Sequence, residues 1–137
     1  MKTINWLGLV VALVFGQIIG IVWYGVLFSD AWMTAMGMTE AQFVGTEWRM
    51  SLGVINMIVI LLGLDWLIRR LDARSWMGGA KVALAVCAAF ALTVVAQDYI
   101  YAAGVPALLW IDGGYQLLTY GIGGALLGGL KLKPKAG

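Results

Sequence analysis

INWLGLVVALVFGQIIGIVWYGVLF, residues 4–28, runs for 25 residues without a charged side chain. A hydrocarbon core of about 30 Å is crossed by roughly 20 residues of α-helix, so this stretch is long enough to span a bilayer. Three further apolar stretches, 50–68, 80–102 and 113–130, follow it and fill most of a 137-residue chain. Inside lipid every backbone N–H and C=O has to be paired within the protein, and for separate segments of this length the solution is a helix. The sequence therefore predicts an all-α fold, an integral membrane four-helix bundle forming a single transmembrane domain over 1–137. The first span has Lys2 before it, as a secretory leader would. It is too long for a leader, ends in Trp23-Tyr24 and Phe28 and lacks a cleavage pattern, so it is expected to be retained.

Composition agrees. The chain is 62% hydrophobic and 12% charged, with a mean hydropathy of +0.91, whereas globular domains carry about 25% charged residues. The net charge is +2, but the basic residues sit in short patches at span ends, which argues against nucleic-acid binding. The chain has no histidine, which removes imidazole metal sites and Ser-His or Cys-His pairs. Its one cysteine, Cys87, lies among Val86, Ala88 and Ala89 and is expected to be a small packing residue. No metal, no cofactor and no catalytic group is expected, and the chain is not expected to be an enzyme.

Lys2, the group Arg69, Arg70, Arg74 and Lys81, and the group Lys131, Lys133 and Lys135 flank one side of the spans, with Arg49 alone on the other. By the positive-inside rule both termini and the middle connection face the cytoplasm. Asp30, Glu40, Glu47, Asp98 and Asp112 then collect on the outer side. Trp23, Tyr24, Trp32, Trp48, Tyr99, Tyr101 and Trp110 are expected in an outer interfacial belt, and Trp6, Trp66 and Trp76 in an inner one. In the first outer loop, Ser29-Asp30 can cap a short helix over 31–36 stopped by Gly37, and Thr39-x-x-Gln42 has the form of a capping box. Trp32, Met33, Met36 and Phe43 would lie on apolar faces, resting in the headgroup region or closing the bundle as a lid.

Gly8, Ala12, Gly16 and Gly20 recur every fourth residue and form one shallow stripe. Such stripes let helix backbones approach closely, which matters in lipid because hydrophobicity gives no net drive between helices. The fourth span offers Gly121, Ala125 and Gly129 beside Gly124 and Gly128, and the third offers the pairs Ala85-Ala89 and Cys87-Ala91. Polar side chains within the spans are few: Gln17, Asn56, Thr93, Gln97, Asp98, Gln116 and Thr119. Asp65 and Arg69 have the i,i+4 spacing of an ion pair. Asp112 can cap the fourth helix, and Asp98, flanked by Gln97 and Tyr99 and expected to be buried against Arg49, is the leading functional carboxylate.

Asn5-Trp6, then Trp23-Tyr24-Gly25 with Leu27-Phe28, Trp32 and Met36-Gly37, together with Asp112-Gly113-Gly114-Tyr115-Gln116, resemble a family of small bacterial membrane proteins classed only as a domain of unknown function. The resemblance covers essentially the whole chain and implies a four-helix bundle in the bacterial cytoplasmic (inner) membrane, with no established activity. Members often carry proline after Trp-Tyr-Gly, where this chain has Val26.

The expected role is that of a small accessory or scaffold protein. It would pack against other transmembrane proteins or itself, as a homo-oligomer, through small-residue faces. The candidate partner- or ligand-binding residues are Gly8, Gly16, Gln17, Gly20, Trp23, Tyr24, Asp98, Asp112 and Tyr115, with a hydrophobic small molecule (lipid, quinone or pigment) as a further candidate partner. The alternative is a small transporter or channel. Four helices in so short a chain is similar to small multidrug exporters, but these rely on a glutamate in the first helix, where Gln17 cannot exchange a proton. A transporter would have to use Asp98 near the outer face. A lipid-modifying enzyme would need Asp98, Asp112 and Glu47 to converge.

Overall fold

A computed structural model describes residues 3–131, with Ala103 described by its backbone alone. Lys2, Lys133 and Lys135, which entered the charge count, lie outside the described residues. Helix α1 (Trp6–Val22) continues into a wider turn, Trp23–Leu27. Short α2 (Ser29–Met36) and a 3-10 turn (Glu40–Phe43) follow, then α3 (Arg49–Arg70). The next rod is α4 (Trp76–Val86), a second wide turn Cys87–Ala91, α5 (Leu92–Asp98) and a third wide turn Tyr99–Ala103. The last is α6 (Pro106–Gly129). Three of the rods, Trp6–Leu27, Arg49–Arg70 and Trp76–Ala102, are long and apolar enough to cross a membrane. The fourth, α6, is as long but carries Asp112, Gln116 and many glycines.

The loop between the first two rods follows its sequence signals. Helix α2 stops at Gly37, which adopts φ 66°, a left-handed conformation that costs glycine little. Thr39 and Gln42 form the reciprocal capping box, with the Thr39 N–H donating to Gln42 Oε1 at 2.8 Å. Ser29 and Asp30 are inside the first turn of α2 and not its cap. The start of the last helix also differs from expectation. It begins at Pro106 and not at 113, because proline's fixed φ suits the first helical position and Gly104, at φ 61°, lets the chain double back in two residues. Asp112 is therefore a mid-helix side chain facing its neighbours, not a helix cap.

The rods pack tightly at one end and part at the other. Gly8, Ala12 and Gly16 of α1 are buried, and so are Met57, Leu61, Leu64 and Ile68 of α3, Ala83 and Cys87 of the third rod, and Tyr120 and Leu127 of α6. Gly79, Ala83 and Cys87 make the face of the third rod that meets α6, and Ala91 of the Cys87-Ala91 pair packs against the same core, whereas the Ala85-Ala89 pair is exposed. At this crossing a methyl group on Gly79 would collide with the Gly124 carbonyl, and one on Gly124 with Ala83. The backbones touch there.

The same end is tied by polar contacts. Asn5 Oδ1 accepts from the Gly8 N–H at 3.0 Å, capping α1, while its Nδ2 donates to the Leu127 and Leu130 carbonyls at 2.7 and 2.6 Å. The Asn5 N–H donates to Asp65 Oδ1 at 3.2 Å, and Asp65 Oδ2 accepts from Arg69 Nε at 2.7 Å, the expected ion pair. With Arg70, Arg74, Lys81 and Lys131 nearby in the chain order, this is the basic end. The carboxylates of Asp30, Glu40, Glu47, Asp98 and Asp112 belong to the acidic end.

Candidate functional site

At the acidic end the rods border a half-open cavity of about 980 Å³, at the upper limit for small-molecule sites. Its cause is topological. Helix α3 packs on α1, α4 and α6 but has little or no contact with α5, so their acidic-end halves stand apart. Met50 and Gly53 of α3 face the gap from one bank, and Val95, Asp98 and Ala102 from the other. The loop segment supplies a roof, with Trp32, Met33 and Met36 of α2 and Phe43 of the 3-10 turn lining the cavity. Trp32 and Phe43 hold one another, ring centroids 6.4 Å apart. The apolar face read in this loop is therefore turned into the cavity.

The wall between α1 and α6 is the most ordered part. In the Trp23–Leu27 turn the Phe28 N–H donates to the Trp23 carbonyl five residues back, at 2.9 Å. Such wide turns change the register of a helix by one residue and recur at functional sites. Here Trp23 Nε1 donates to the Ile111 carbonyl at 2.8 Å, and Tyr24 Oη donates to Asp112 Oδ1 at 2.6 Å, so consecutive residues of one rod engage consecutive residues of the other. The Trp23 ring lies against Gly114, where a Cβ would come within 2.8 Å of it. Tyr24 meets Tyr115 edge-on at 5.1 Å and Trp32 at 5.7 Å. The Trp23-Tyr24-Gly25 and Asp112-Gly113-Gly114-Tyr115 motifs, far apart in sequence, are thus a single contact. Trp23, Tyr24, Trp32 and Tyr99 are half-buried against it or along the cavity and do not extend outward as a belt.

Seven of the nine sequence-singled residues, Gly16, Gln17, Gly20, Tyr24, Asp98, Asp112 and Tyr115, line this one cavity, so the separate motifs define one place. Trp23 supports it from behind. Gly8 is at the basic end, where its missing side chain makes room for Asn5 and the Leu126 carbonyl. The stripe is largely filled within the chain, Gly16 by Met57 and Gly20 by Tyr115. Asp98 is exposed on the cavity wall, and Arg49 lies 5.8 Å from the Trp48 ring instead of pairing with it. Glu47 turns back on its own loop, where its Oε1 accepts from the Gly45 N–H at 3.2 Å, so it does not join Asp98 and Asp112. Among the described residues no three acidic or cysteine side chains are grouped to hold a metal ion. Sequence reading missed Met50, Gly53 and Leu108 as cavity residues. Nothing local marks them, because the gap they face arises from the spacing of whole helices.

Fold and site describe a helical protein with three rods long and apolar enough to cross a membrane and a chamber at one end. The chain belongs to the family described as Protein of unknown function (DUF1761), which matches residues 7–128. No curated protein and no solved structure matches it.

Proposed function

We propose that this chain is a four-span protein of the bacterial cytoplasmic membrane, with both termini inside, that binds a hydrophobic small molecule in the cavity at its acidic end. The cavity carries this reading: its volume, its aromatic walls and its position under a roof of short helices suit a ligand taken from the membrane. The exterior supports membrane residence. Val26, Val59, Phe90 and Ile100 are exposed along the rods, while exposed Trp6, Trp66 and Trp76 ring the basic end and Trp48, Tyr101 and Trp110 the acidic end. Apolar flanks between two aromatic girdles match the two interfaces of a bilayer.

An accessory role is the second reading, favoured by one face of α3. Gly63 is exposed with nothing within 4 Å of where a Cβ would stand, and exposed Asn56 lies two turns before it. An amide facing lipid is costly, and the glycine beside it would let another transmembrane helix, or a second copy, approach and pair with it.

One preparation tests both. The full chain, purified in mild detergent and released in native mass spectrometry, should carry a non-protein adduct of defined mass. Gly53→Trp, which fills open space on the cavity wall, should abolish it while leaving the helical circular dichroism unchanged. A bare wild-type chain that takes up no hydrophobic dye saturably would overturn the ligand reading. A stoichiometric polypeptide in place of the adduct would favour the accessory role.

A further inference from the structure

We propose that the cavity takes an amphiphilic organic cation, an apolar body carrying an amine or quaternary ammonium head, and excludes anions of the same shape. This rests on the ligand-binding reading above and specifies its chemistry. Three carboxylate side chains, Glu40, Asp98 and Asp112, line the cavity, and among the described residues no lysine or arginine does. Arg49, the first residue of α3, is held over Trp48 and is not among the lining residues. A chamber with one sign of charge and apolar walls focuses its field on whatever enters. For an anion the field opposes entry, and every apolar contact would have to overcome it.

The aromatic groups point to the same ligand. Tyr24, Trp32 and Tyr115 meet edge to face, with Tyr24 in the middle, and all three rings border the cavity. Ring faces attract cations and most strongly where water is excluded, which is how quaternary ammonium groups are recognised. Tyr24 also fixes Asp112 through its 2.6 Å hydrogen bond, so this carboxylate is already positioned before a ligand arrives. Asp98, on the third rod, has no hydrogen bond among the described residues. The gap between α3 and α5 leaves a side route by which an amphiphile could enter with its tail still in lipid.

Tetraphenylphosphonium and tetraphenylborate have the same shape and opposite charge. Each would be titrated by equilibrium dialysis against the full chain in zwitterionic lipid nanodiscs, with empty nanodiscs subtracting partition into lipid. The expected result is saturable binding of the phosphonium ion alone. Asp98→Asn, which removes a charge without removing a contact of the fold, should weaken it about tenfold. Glu47→Gln, at the same end but outside the cavity lining and turned onto its own loop, should leave it within about twofold, since an exposed charge is screened by salt. Equal binding of both ions, or an Asp98→Asn affinity equal to wild type, overturns the cation inference and leaves the cavity reading standing. No saturable binding of either ion overturns both.

Discussion

Tyr24 and Asp65 show how few polar side chains this chain needs. The Tyr24 hydroxyl donates to a carboxylate at 2.6 Å across two rods, and Tyr24→Phe removes that bond while keeping both ring contacts. The expected cost is about 1.5–3 kcal/mol, the range for hydrogen bonds to charged groups, read as a lower midpoint of unfolding in a denaturing-detergent titration. Asp65 is 1% exposed and is shared by Arg69 and the backbone of Asn5. Removing one member of a buried ion pair leaves the other charge unbalanced, so Asp65→Ala should cost more, about 3–5 kcal/mol by the same titration. If the order were reversed, the basic-end network would not be what holds the bundle. The i,i+4 spacing of Asp65 and Arg69 was legible in the sequence. That Asn5 would also reach Asp65 was not, because the two are sixty residues apart and meet only when the first rod lies against the third helix of the chain.

Glycine means different things on different helices. At the α4–α6 crossing, a side chain on Gly124 would meet the backbone of Gly79, and backbone cannot rotate away. Gly124→Val should therefore unfold the pair or force it apart, at a cost of about 3 kcal/mol or more. On α3, Gly63 has open space beyond it. Gly63→Ala should be neutral or stabilise by up to about 1 kcal/mol through helix propensity, and the contrast is measured by thermal denaturation of the two variants in one detergent. Equal losses would mean that both glycines are packed in the folded protein, which is what a partner on α3 predicts. The α1 and α6 stripes are visible in the sequence. The Gly79-Ala83-Cys87 face is hidden, because the alanine-rich third rod offers several small-residue stripes at the same spacing and only the position of α6 selects among them. The start of α6 is hidden for a different reason: charge at Asp112 resembles a helix boundary in a hydropathy reading, while the signal that begins the helix is a single proline at 106.

At the scale of the molecule, one end is closed by backbone contact and an asparagine knot, and the other is open around carboxylates. The helical class could be read from hydropathy alone, and so could the three rods that are long and apolar enough to cross a membrane. The cavity could not, since it is the space left where α3 and α5 diverge and no residue encodes it. The proposed orientation rests on charge. Among the described residues the basic end gathers Arg69, Arg70, Arg74, Lys81 and Lys131 and the acidic end has Arg49 alone, so the positive-inside rule would put the cavity on the outer face. The test uses the protein's own chemistry. Cys87 is fully buried and should not react, so single cysteines can be added to the natural chain. Val44→Cys, in the roof segment, and Leu71→Cys, beyond the end of α3, replace side chains that are 78% and 59% exposed. A membrane-impermeant maleimide should label Val44→Cys on intact cells and Leu71→Cys only after permeabilisation. The reverse pattern would turn the cavity toward the cytoplasm, where its ligand would have to come from metabolism, and labelling of both on intact cells would mean that α3, the rod between them, does not cross the membrane.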